Sequence, residues 1–107
     1  MIIKLPKLSS IYQPQSGWMI TNTYSGSLGT DPNKGSWNRE IFCFKIFIIG
    51  EAADPSLRAE CYTQLANMDG VRNYNQHEMT TEPTPNGLNK INEWLDEQYK
   101  VFLEKNQ

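Results

Sequence analysis

From Ile41 to Ile49 the chain reads IFCFKIFII, apolar at every even position (Phe42, Phe44, Ile46, Ile48) and at every odd one except Lys45. A strand that is apolar on both faces belongs inside a sheet, covered on both sides or with one face kept for a partner. Lys45 discriminates between these arrangements. Burying an unpaired ammonium is expensive, so the odd face is expected to be open enough for Lys45 to reach water, or to hold a carboxylate beside it. Ile41, Phe47 and Ile49 then form an apolar patch rimmed by charge, the usual mark of an interface. The competing expectation is a core face covered within the same chain.

The remaining pattern predicts an α+β outline. Ile2 to Leu5 reads as a short first strand closed by Pro6. GWMITNTY, Gly17 to Tyr24, alternates Trp18, Ile20, Asn22 and Tyr24 against Met19, Thr21 and Thr23 and predicts a second strand. SGSLGTDPNKGS, residues 25–36, carries a DPNKG turn signature and predicts the loop between two antiparallel strands; its length marks a segment either mobile or used. After Gly50, Asp54-Pro55 resembles a helix start, and Leu57, Cys61, Leu65 and Met68 recur at helical spacing up to Asp69-Gly70. VRNYNQHEM, residues 71–79, predicts an edge strand, and TTEPTPNG, residues 80–87, a two-proline linker. Leu88, Ile91, Trp94, Leu95, Tyr99, Phe102 and Leu103 form the apolar stripe of a last helix, with Glu93, Asp96, Glu97, Lys100 and Glu104 facing water. The expected fold is thus α+β: a small antiparallel sheet of three to four strands with two helices packed on one face, the even face of the central strand, in a single globular domain over residues 1–107.

Composition narrows the function classes more than it selects one. The hydrophobic content of 38% and the mean hydropathy of -0.60 suit a water-exposed globular chain. The apolar run is about half the roughly 20 residues a spanning helix needs, so no membrane role is expected. MIIKLPKLSS lacks the apolar core and cleavage site of a secretory signal, which points to the cytoplasm, with Cys43 and Cys61 as reduced packing residues. The net charge of -2 is unevenly spread: residues 1–50 carry five bases and two acids, residues 51–107 five bases and ten acids. An acidic C-terminal helix bearing Glu93, Asp96 and Glu97 would meet a basic partner, or simply be solvated. A pI near 5.3, with no basic run interleaved with aromatics, speaks against nucleic acid.

Candidate chemistry mostly fails on spacing. GTDPNKGS, residues 29–36, places Lys-Gly-Ser where a phosphate loop requires Gly-Lys-Ser/Thr, and read as a calcium loop it has Gly35 and Phe42 at ligand positions. His77 is the single histidine, and a Cys43/Cys61/His77 metal site has no supporting spacing. Cys61 with His77 as base and Glu78 as orienter is overridden by the place of Cys61 on an apolar stripe, and Glu78 and Glu82 sit too loosely for acid-base work. No catalytic residue, metal or cofactor is therefore assigned.

The expectation that remains is a non-enzymatic protein-binding domain, of the size and charge of small inhibitors and of immunity or anti-defence proteins. Its interface candidates are Ile41, Lys45, Phe47 and Ile49, the loop-end Trp37, and Glu93, Asp96 and Glu97. A protein partner is expected, and a homo-oligomer is compatible with the same surfaces. Trp37 also reads as a cover for the open end of the sheet. The alternative is a small ligand-binding or catalytic domain with a pocket between sheet and helices, lined by tyrosine, His77 and Cys61.

Overall fold

The apolar run pairs on both its edges. In the computed structural model, which describes residues 3–29, 39–67 and 69–105, it forms strand β4 (Arg39–Ile49). A 3-10 turn over Leu8–Ser10 precedes a small hairpin, β1 (Tyr12–Pro14) and β2 (Met19–Thr21). Strands β3 (Tyr24–Gly29), β4, β5 (Ser56–Asn67) and β6 (Gly70–Thr81) follow as a meander, antiparallel throughout, in the order β3-β4-β5-β6. One helix, α1 (Pro85–Lys105), closes the chain. The molecule measures 50 × 28 × 19 Å, and the thin dimension is that of two layers.

Helix α1 lies on one face of the four-stranded sheet. The even residues Phe42, Phe44 and Ile46 of β4 and the odd residues Leu57, Ala59 and Cys61 of β5 meet Leu88, Ile91, Leu95, Tyr99 and Phe102 of the helix in one buried cluster. Phe42 stands at its centre, with ring centroids 5.5 Å from Tyr99 and 5.8 Å from Phe102. Gly26 of β3 lies opposite Phe44, and a Cβ there would stand 2.7 Å from the ring, so a bare backbone is what lets this phenylalanine lie across the edge strand. The N-terminal segment completes the core by burying Ile3 and Ile11.

Several expectations are corrected here. The sequence predicted two helices and one sheet; the chain has one helix and two sheets among the described residues. The segment read as the first helix is β5. Leu57, Cys61 and Leu65 are four apart, a spacing that a strand satisfies as well as a helix, and the intervening Ala59 and Thr63 keep strict alternation against Arg58, Glu60, Tyr62 and Gln64. Pairing with β4 over eleven residues and with β6 on the other side overrides the Asp54-Pro55 signal, which serves a turn closed by the Asp54 N–H on the Glu51 carbonyl, 2.9 Å.

The expected strand from Gly17 to Tyr24 is split between the two sheets, because β2 pairs back on β1 and only from Tyr24 does the chain join β4. The start of the supposed loop at residue 25 is therefore strand, while residues 30–38, with Trp37 and the DPNKG turn, lie outside the described residues. Residues 3–5 form no strand: the Ile3 backbone is instead held by helix side chains. The two-proline linker shrinks to Glu82–Thr84. Thr84 caps α1 by accepting the Gly87 N–H at 3.1 Å, and Pro85 takes the first helical position, where its missing N–H costs nothing.

Candidate binding surfaces

With the helix on the even face, the odd residues of β4 point to the opposite, outer face of the sheet, which no described helix covers. Ile41, Phe47 and Ile49 are half-buried there, and Lys45 is exposed, its side chain 46% accessible. Four of the residues singled out by the sequence are thus brought onto one surface. Tyr62 of β5 joins them as the register partner of Cys43.

Charges on this surface are linked in a line across three strands. The Lys45 ammonium lies 3.4 Å from the Glu60 carboxylate and 5.6 Å from the centre of the Phe47 ring. Arg58 donates from Nε to the other Glu60 oxygen at 3.0 Å and from Nη2 to Glu78. Glu60 and Glu78 are direct register partners, an unfavourable like-charge pair that the Arg58 guanidinium bridges. Ion pairs at a sheet surface, here between half-buried and exposed groups, contribute roughly 0–1 kcal/mol each to stability, so their main effect is to order the side chains and alternate the sign of charge across the face. The sequence argument that Lys45 needs either water or a carboxylate is answered with both.

The acidic helix candidates divide. Glu93 and Glu97 are exposed on α1, whereas Asp96, expected to face water, is buried. Its Oδ1 accepts the Ile3 N–H at 2.9 Å, and Asn92, one turn earlier, donates from Nδ2 to the Ile3 carbonyl at 2.8 Å. Asp96 is a fastener for the N-terminal segment and no part of an exposed acidic patch.

The discarded chemistry can now be placed. Cys61 and His77 are register partners on the helix side of the sheet, but Glu78 points to the outer face and is held by Arg58, so the three do not form a relay. Burial pushes the Cys61 thiol up to about 12, partly offset by a backbone hydrogen bond at His77, and burial likewise raises Cys43. Both thiols are poor nucleophiles as a result. Cys43 and Cys61 lie on opposite faces of the sheet and cannot converge on one metal. Glu82 lies 3.6 Å from Lys90, separate from the Glu78 pair.

A recess does exist between sheet and helix. Its volume is about 150 Å³, and Cys61, Tyr74, His77, Glu40 and Phe102 contribute to its walls. It sits beside a bulge at which Thr63 pairs with Tyr74 while Cys61 pairs with His77, and Asn75 takes φ 54° in the left-handed region. Tyr74 donates its hydroxyl to Glu40. Its hydroxyl is pushed up to about 12, first by burial and then by that carboxylate.

The sequence reading did not single out the hairpin. Trp18, just before β2, is 56% exposed and Ile20 on it 39%, and they are two of the exposed large apolar residues among those described. The signal was present: no Asp, Glu, Lys or Arg occurs between Lys7 and Asp31.

No family model matches the chain, and neither a curated protein nor a solved structure matches it. No helix among the described residues is long and apolar enough to cross a membrane.

Proposed function

We propose that the chain is a non-enzymatic protein-binding domain that receives its partner on the outer face of the four-stranded sheet. The observation that carries this reading is that helix α1 covers only the even face of β4, leaving Ile41, Phe47 and Ile49 beside Lys45, Glu60, Arg58 and Glu78 on a face that no element among the described residues covers. The partner surface that fits has an apolar centre flanked by alternating acidic and basic groups, so that each charge displaced from water finds an opposite one. A small-ligand function is supported less well: the recess beside Tyr74 is small, and its Tyr74 and Glu40 groups already satisfy one another.

The test is a pair of outer-face variants against a partner captured from the native host and then purified. Phe47→Asp and Lys45→Ala are expected to weaken binding by about tenfold or more while thermal unfolding changes little, because both side chains project from the sheet and not into the core. A large fall in stability with affinity unchanged would assign these residues to the fold and reject the surface.

A further inference from the structure

β4 and β5 are the two inner strands of the four-stranded sheet, so the line between them is its midline. Across that line Lys45 is the register partner of Glu60, Phe47 of Arg58 and Cys43 of Tyr62, all on the outer face. A half-turn about an axis laid along the midline sets this face against the same face of a second copy and exchanges β4 with β5 and β3 with β6. Each residue then meets its own register partner from the other chain. Lys45 comes to lie against Glu60 and Glu60 against Lys45, while Arg58 comes to lie over the Phe47 ring, the arrangement of a cation–π contact. Glu78 of β6, in the row of Glu60, meets Ser25 of β3, in the row of Lys45. No like charges are opposed among these groups.

Other placements of the axis fail on charge. Along β4 it would set Lys45 on Lys45, along β5 Glu60 on Glu60 and Arg58 on Arg58, and between β5 and β6 Glu60 on Glu78. Like charges opposed across a contact suppress association. The midline also gives the greatest overlap, because it exchanges the two halves of the sheet. At roughly 37 Å along β4 and roughly 19 Å across four strands, with β3 shorter than its neighbours, the two faces together cover roughly 1,200 Å², the lower end of the range for specific interfaces. Ile41, Phe47 and Ile49 run along the middle of this footprint and the exposed Ser25, Ser27 and Glu78 along its margins, apolar within and polar around. The central charges are already held by one another on the same chain, so pairing with a second copy orders little that is not ordered before.

We infer that the chain forms a two-fold homodimer through the outer sheet face, with the axis along the β4–β5 midline; this rests on the outer-face reading above and names a second copy as the partner. The surface which that face requires, apolar at its centre and flanked by alternating acidic and basic groups, is the face itself. The two sheets then stack as a sandwich about 10 Å apart with both helices outside, and the contact closes on two copies.

The experiment is sedimentation of the full chain over a concentration series, alongside Lys45→Glu, Glu60→Lys and an equimolar mixture of these two variants. The unmodified chain is expected to sediment at twice its 12.3 kDa and to dissociate on dilution. Each variant alone opposes like charges at both symmetry-related contacts and should associate at least about tenfold more weakly. In the mixture a chain acidic at both positions meets a chain basic at both, so a heterodimer should form, a recovery that a misfolded variant cannot give. Ser25→Glu separates folding from association: its carboxylate finds Lys45 on its own β4 but faces Glu78 of the second copy, so thermal stability should hold while the dimer weakens about threefold or more. An unmodified chain monomeric at about 0.5 mM, a dimer indifferent to both charge reversals, or a mixture that stays monomeric would each overturn the inference. A monomeric chain that loses a captured partner of another sequence with Phe47→Asp would sink the homodimer and leave the outer-face reading standing; a captured partner indifferent to Phe47→Asp as well would sink both.

Discussion

Asp96 and Ile3, ninety-three residues apart, are joined by a hydrogen bond from the Ile3 N–H to the Asp96 carboxylate, 2.9 Å and buried. Asn92 donates to the carbonyl of the same residue at 2.8 Å. Two side chains one helical turn apart thus satisfy both backbone groups of Ile3, the service a neighbouring strand would otherwise perform.

Asp96→Ala is expected to destabilise the chain by about 1–3 kcal/mol, because it leaves the Ile3 N–H buried without an acceptor. Asn92→Ala should cost a similar amount, and the double variant less than the sum, since loss of either side chain loosens the same segment. Urea unfolding of the single and double variants measures this. Full additivity would show that the two bonds act independently.

Gly87 sets two rules against each other. Alanine is favoured over glycine by about 1 kcal/mol inside a helix. A Cβ on Gly87, however, would stand 1.9 Å from the Glu82 carbonyl oxygen, a backbone atom that cannot swing away. The clash is expected to win, with Gly87→Ala lowering stability by roughly 1–3 kcal/mol, the usual cost of overpacking. Thr84→Ala, which removes the cap without a clash, should cost about 1 kcal/mol. A Gly87→Ala variant that melts higher than the parent would show that the turn before α1 adjusts freely.

Alkaline stability follows from Cys61 and Tyr74. Each has a folded-state pKa raised above its unfolded one, from 9.0 to about 12 for the thiol and from 10.0 to about 12 for the phenol. Their contributions are complete below about pH 9 and are lost as pH rises towards 12, because only the unfolded chain ionises in that window. Melting temperature is expected to begin falling near pH 9, and Tyr74→Phe should flatten the portion above pH 10. A Tyr74→Phe profile that falls in parallel with that of the parent would assign the loss to other groups.

Thiol chemistry separates native from unfolded chain. With Cys61 1% and Cys43 9% exposed, modification by a thiol-reactive dye near pH 8 should be slow for both and slowest for Cys61. Denaturant should release both at the rate of a free thiol. Fast labelling of Cys61 in the native state, identified by peptide mass, would mean that β5 and β6 separate readily.

How much of this was legible depended on which period a segment satisfied unambiguously. The β4 run, the apolar stripe of α1 and the edge position of β6 followed from pattern alone. The even face of β4 was legible as core in the same way, whereas Lys45 left the odd face open between a covered face and an exposed one. Strand β5 was missed because residues four apart satisfy both periods, and the distinguishing residues, Ala59 and Thr63, are weakly apolar and easily passed over. Asp96 was misplaced because a carboxylate one step off a hydrophobic stripe is ordinarily solvated; only the return of Ile3 from the far end of the chain makes it a buried acceptor. The exposure of Trp18 was likewise hidden, since its alternation with Ile20 describes a buried face equally well.

The two outer strands of the sheet differ from its inner ones in a way that bears on how the chain keeps to itself. Among the described residues β3 begins opposite Ile46, leaving the last three residues of β4 unpaired on that side, and β6 carries a bulge where Asn75 takes φ 54°. A straight, fully extended margin would invite further chains to add on, strand by strand, into a growing fibre. The short border on one side and the bent one on the other interrupt that template, so the sheet stops at four strands. Removing the extra residue of the β6 bulge would straighten its border and should convert a well-behaved chain into one prone to filament growth.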